Sequence, residues 1–233
     1  MKKVIVPFHE SFSRLSIVQT LRDLPSAFGL TKTLFLVALL TTFAASAQEK
    51  KGGFTLELGL GQSQFGNYSA MSAFADPTEG YDLLPAEHFT AGYYNGNGWF
   101  YGLTLGVRSG NTVFQNLNEN FADFSFLLDI RDYFKLTDKM ELEVGVAGGL
   151  LMHKNSFDYM DQHYSPTRLG YEGHLTLGLN YLFKEGHYLG IRAMIPQFGT
   201  LMDAPAGLPE GLTPNSRIML SGCTFQLNYG IRF

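Results

Sequence analysis

From residue 53 to the C terminus, apolar and polar residues alternate in segment after segment, with no helix-length periodic stretch between them. A period of two sends successive side chains to opposite faces of a strand, so this part of the chain reads as β-sheet with two chemically distinct faces. The clearest segment is 99–108, where Trp99, Tyr101, Leu103, Leu105 and Val107 share one face and Phe100, Gly102, Thr104, Gly106 and Arg108 the other. Eight such strands are read, over 53–62, 87–94, 99–108, 121–134, 140–151, 167–182, 188–195 and 217–233.

The connections alternate in length. Asn95-Gly96-Asn97-Gly98, Leu136–Lys139 and Lys184–His187 are short turns, the first rich in residues that tolerate positive φ. The remaining connections run to roughly twelve to twenty-four residues, longer than ordinary hairpin loops. Without crossover helices a parallel sheet is excluded, and an antiparallel meander of eight strands that closes into an up-and-down barrel follows.

Ahead of the strands, residues 33–47 carry no charge; Lys32 precedes them and Ala45-Ser46-Ala47 ends them. A positive flank, an h-region over 33–44 and an A-x-A site make a secretory signal, with cleavage expected after Ala47. The stretch is shorter than the about 20 residues a spanning helix needs. Residues 1–30 are read as an overlong start or an unusual n-region and set aside. The chain thus divides into a leader, 1–47, and a barrel domain, 48–233. The leader holds five bases and two acids of a chain with net charge −4, so the mature part is near −7. No basic patch is available for nucleic acid. The single cysteine, Cys223, excludes an internal disulfide framework and falls on the apolar register.

Alternation alone does not say which face looks inward. Three observations place the apolar face outside, against lipid. All six lysines of the mature chain lie in its tail, turns, loops or a strand end, not on a solvated strand face. The polar face instead carries Arg108, Arg131, Arg168, Arg192 and Arg232 with Glu57, Asp123, Asp129, Glu141, Glu143 and Glu172, the composition of an enclosed ion-pair network that also takes in His174. Phe54, Tyr93, Trp99, Phe134, Tyr181 and Phe233 gather beside the short turns or termini, as an interfacial aromatic girdle does. In lipid every backbone polar group must pair internally, which again requires closure. Asp132 departs from the pattern by falling on the outward face beside Phe134; it is read as lying at headgroup level rather than as the sign of a bulge at 131–133.

The signal peptide, the alternation of short turns and long loops, and a last strand reading Phe225-Gln-Leu-Asn-Tyr-Gly-Ile-Arg-Phe233 resemble the small, OmpA/OmpX-like outer-membrane β-barrel proteins of Gram-negative bacteria. The resemblance covers roughly 53–233 and is architectural. It implies that Tyr229, Ile231 and Phe233 form the signal read by the barrel assembly machinery, that termini and short turns face the periplasm, and that four long loops face the exterior. It also implies outer-membrane lipid and lipopolysaccharide as surroundings and a monomer as the default.

No catalytic, cofactor or metal set is assigned. His174 with Glu172, Glu141 or Glu143 lacks a neighbouring nucleophile and is read as an interior histidine. His153, Asp158, Asp161 and His163 lack metal-ligand spacing and are read, with Phe157 and Tyr159, as a solvated aromatic loop. Glu87 and Glu119 are placed among the acids of the long loops, and Pro196 in the last of them. An eight-stranded barrel is just wide enough to be filled by its own side chains. The expected function is therefore that of an outer-membrane barrel with a plugged polar interior, acting structurally or through surface contacts with a partner the sequence does not name. A lipid-modifying enzyme and a narrow channel are the alternatives.

Overall fold

A computed structural model describes residues 52–65, 72–74, 79–80, 83–184, 186–202, 208–209 and 219–233. The leader and its cleavage site lie outside the described residues. The strands are β1 (Gly53–Phe65), β2 (Glu79–Gly80), β3 (Leu83–Tyr94), β4 (Trp99–Phe114), β5 (Leu117–Thr137), β6 (Met140–Tyr159), β7 (Gln162–Tyr164), β8 (Thr167–Lys184), β9 (His187–Leu201) and β10 (Met219–Arg232). Eight of them are long. β1 pairs with both β3 and β10, β4 bridges β3 and β5, and the path runs on through β6, β8 and β9 to β10, all antiparallel. The sheet therefore closes on itself. β2 and β7 are short additions paired to β4 and β6.

Burial follows the two-residue period. Thr104 is 1% exposed and its neighbour Leu105 47%; Leu128 reaches 66%. The apolar face is the outer one, and the polar face lines the lumen. Phe54, Tyr93, Trp99, Phe134 and Tyr181 are exposed at the short-turn end, and Phe233 is half-buried, its amide bonded to the Phe54 carbonyl at 2.8 Å. Asp132 stays in register opposite Trp99 and Val144, with no bulge at 131–133; the nearest irregularity is at Lys135/Thr137.

Four expectations need correction. The connection read between strands three and four is a hairpin, not a long loop: β4 and β5 pair as far as Phe114 and Leu117, and Gln115 and Asn116 turn with φ of 47° and 68°. Met160 and Asp161, at 48° and 61°, turn β6 into β7 in the same way. Two successive left-handed residues make the hairpin turn whose twist matches the strands. Second, Pro196 lies inside β9. Gln197 is opposite Gly222 and His174, and Met194 is opposite Thr224 and Thr176, so Ile195–Pro196 adds one residue to β9 relative to both neighbours. This bulge resets the face of the strand, and Ile195 and Phe198 are both exposed. Third, Glu119, His153 and Phe157 belong to the inward face of β5 and β6 and are buried, while Glu87, where the strand read over 87–94 begins, lies within β3 and is exposed. Fourth, Ile231, which the alternation of the last strand puts on the outward face with Leu227, is 1% exposed, whereas Leu227 is open.

Candidate functional site

Closing the barrel brings together inward residues that lie far apart in the chain. Along β5 the inward series Tyr133, Arg131, Asp129, Asp123, Phe121 and Glu119 crosses the lumen from the short-turn end to the hairpin end. At the short-turn end Arg232 pairs with Glu141 at 2.8 Å, its guanidinium 4.5 Å from the centres of the Tyr94 and Tyr133 rings and 5.0 Å from that of Tyr188.

One step inward is a cluster of two guanidiniums and three carboxylates. Arg192 on β9 donates to Glu57 at 2.6 and 2.7 Å and to Glu143 at 2.6 and 3.0 Å. Arg131 on β5 donates to Glu57 at 3.0 Å and binds Asp129, and its ring neighbour Phe100 lies 5.1 Å away. Tyr188, Thr104 and Asn180 supply further donors, to Glu57, Asp129 and Glu143. Every member of this cluster is buried. Bidentate guanidinium contacts to each carboxylate explain why arginine rather than lysine occupies these positions.

A second network lies nearer the hairpin end. Arg108 on β4 donates to Asp123 at 3.2 Å and to Glu172 at 3.1 and 2.6 Å, and Asp123 holds His153 Nδ1 at 2.6 Å. Gln197 donates to Glu172 at 2.7 Å and accepts from Thr224 at 2.6 Å, which in turn meets Ser63 at 2.5 Å. The chain from Ser63 to His153 crosses seven of the eight long strands, all but β3. Gln197 faces inward because of the bulge before it. Arg168 is buried opposite His153 in register.

His174 is buried in the lumen but stands outside these ion pairs: its Nδ1 has no hydrogen-bond partner, and Glu172 is held by Arg108 and Gln197 instead. No base–orienter pair is assembled there. Asp158 and His163 meet at 2.8 Å on the exposed hairpin, apart from the buried His153. Among the described residues no group of three or more His, Cys, Asp or Glu is arranged to hold a metal ion.

Around the second network and towards the hairpin end, six strands also turn an apolar residue inward. Phe65, Leu84, Phe121, Leu151, Leu201 and Leu220, from six strands, pack into one buried plate across the lumen. Sequence reasoning missed this plate, together with Tyr188, Tyr133, Gln197 and His153. Parity along the extended strands is the signal that finds most of them.

A closed barrel of eight antiparallel strands, apolar outside and charged within, is the architecture of an outer-membrane protein. The chain belongs to the family described as outer membrane protein beta-barrel domain, which matches residues 33–233. It is similar in fold to neisserial surface protein A, with 10% identity, a TM-score of 0.45 and coverage of 79% of this chain and 98% of that one. It is also similar to Ail, the attachment invasion locus protein of Yersinia pestis, with 15% identity, a TM-score of 0.44 and coverage of 78% and 99%. OprG from Pseudomonas aeruginosa follows with 12% identity, a TM-score of 0.39 and coverage of 78% and 96%. No curated protein matches the chain.

Proposed function

We propose that this outer-membrane protein is a sealed barrel whose role is structural and interactional, not catalytic and not that of a pore. The observation that carries the reading is the buried apolar plate packed together with two buried ion-pair networks. An apolar constriction excludes water and ions, and the networks fill the lumen around it with side chains that bind one another. The contact surface is then the hairpin end: the β4–β5 and β6–β7 hairpins and the connections from β1 and β9. Termini and short turns face the periplasm, lipopolysaccharide surrounds the outer rim, and the last strand, ending in Phe233, is the segment read by the assembly machinery.

The test is electrical. The refolded mature chain in planar bilayers gives no discrete conductance steps at high protein load. Steps that persist in the wild type and change size when Leu151 is replaced by alanine refute the sealed lumen. An altered phospholipid or lipid A mass spectrum on overexpression refutes the non-catalytic role.

A further inference from the structure

Beyond the plate, the hairpin wall holds a piece of the chain that the lumen networks do not use. Ser72, Ala73 and Phe74, from the connection that follows β1, are fully buried against it. Their seat is built around Glu119 on β5, itself 0% exposed. One carboxylate oxygen of Glu119 accepts the Ala73 amide at 2.7 Å; the other accepts the Ser72 hydroxyl at 2.5 Å and the Thr112 hydroxyl of β4 at 2.9 Å. Phe74 stacks on Phe114 at 4.7 Å and meets Phe157 edge-on at 4.8 Å, and Phe157 stacks on Tyr164 of β7 at 5.4 Å. The seat lies beyond the lipid-facing band, since Asn118 and Asn120, which flank Glu119, are outward and exposed.

We propose that Ser72–Phe74 is a lid latched by Glu119, seated while that carboxyl holds a proton and released as it ionises, which bares an aromatic surface of Phe114, Phe157 and Tyr164 at the outer end of the barrel. The hydrogen bonds themselves tolerate both states. Hydroxyls rotate, so in the acid form one of Ser72 and Thr112 accepts the single carboxyl proton while the other goes on donating to the same oxygen, and the Ala73 amide donates in either case. The ionised form holds its donors more strongly. Against that stands solvation: the seated lid removes water from a charge that the open lid returns to it. Burial accordingly pushes Glu119 above the usual carboxylate range, against the opposing pull of its three donors and of His153. Facing it from the neighbouring strands are His153 on β6, held by Asp123, with Arg168 on β8 opposite His153. β4 and the lid meet the carboxyl with two hydroxyls and an amide, Arg108 farther along β4 is held by Asp123 and Glu172, and Lys154 and Asp158 on β6 are exposed. A carboxyl that binds its proton more tightly when seated than when open stabilises the seat fully at pH below its ordinary value. That contribution is lost as pH rises through the raised one.

The readout is hydrogen exchange at the Ala73 amide in the full barrel in lipid nanodiscs, corrected for intrinsic exchange and referred to a wall amide such as Leu105. Protection at Ala73 falls between pH 4 and pH 8 in the wild type. In Glu119→Gln, whose amide group can serve all three partners, protection stays high and flat across that range. In Glu119→Ala it is low and flat. A wild-type profile as flat as that of Glu119→Gln, or a Glu119→Gln profile that titrates like the wild type, overturns the latch.

Discussion

Replacing Arg192 by methionine keeps an unbranched side chain of moderate size in the lumen and removes the guanidinium that bridges Glu57 and Glu143. Its four donations, two to Glu57 and two to Glu143, span 2.6 to 3.0 Å and are lost together. Arg131 then stands alone, 3.0 Å from Glu57, 3.6 Å from Glu143 and bound to Asp129, so one guanidinium faces three carboxylates where two did before. All these groups are nearly inaccessible to solvent, and stranding a buried charge costs about 3–5 kcal/mol. Adding Glu143→Gln removes one carboxylate and returns the cluster to its original excess of a single negative charge, so the double variant recovers about 2 kcal/mol of the loss. The assay is urea unfolding of the barrel in lipid vesicles, with folded fraction read from the different gel mobilities of boiled and unboiled samples. A single-variant loss under about 1 kcal/mol, or a double variant weaker than the sum of the two singles, refutes a lumen held by paired buried charges.

Three further outcomes follow from the same geometry. Leu177→Arg, on the exposed face at mid-strand, costs about 2–4 kcal/mol in vesicle unfolding, and a variant that folds normally means the faces are inverted. Leu151→Ala opens the buried plate and costs about 2–5 kcal/mol in the same assay; no loss means the plate is not packed. Gln197→Leu deprives Glu172 of a donor and Thr224 of an acceptor at 2.7 and 2.6 Å and costs about 1–3 kcal/mol, whereas a stable variant argues against a continuous network across the barrel.

The strand walls were legible because lipid outside and a polar lumen inside give each residue one of two environments, and the pattern records the choice. The Asn95–Gly98 turn was legible for a local reason, with Gly96 and Gly98 at φ of 77° and 106°. The outer hairpins were not. Past Met152 the outward residues Lys154, Ser156 and Asp158 are polar while His153, Asn155 and Phe157 turn inward, so alternation continues but its chemistry is mixed. Above the hydrocarbon the outward face no longer has to be apolar, and the segment reads as a loop. The turn tips Gln115-Asn116 and Met160-Asp161 contain no glycine to mark them. Pro196 reads as a strand end because proline cannot donate to a ladder, yet a bulge accommodates it.

The amino-acid order by itself determined which side of each strand meets lipid and that the sheet must close, because both follow from a two-residue period and from the cost of unpaired backbone in a membrane. Only the tertiary structure decided which buried charges meet. Glu57 and Arg192 lie 135 residues apart, and their contact depends on the register of every strand between them and on closure across the lumen. The bulge at Ile195–Pro196 makes the same point at one position. It turns Gln197 from the lipid side to the lumen, a choice set by pairing with β8 and β10 and not by any local preference of the residue.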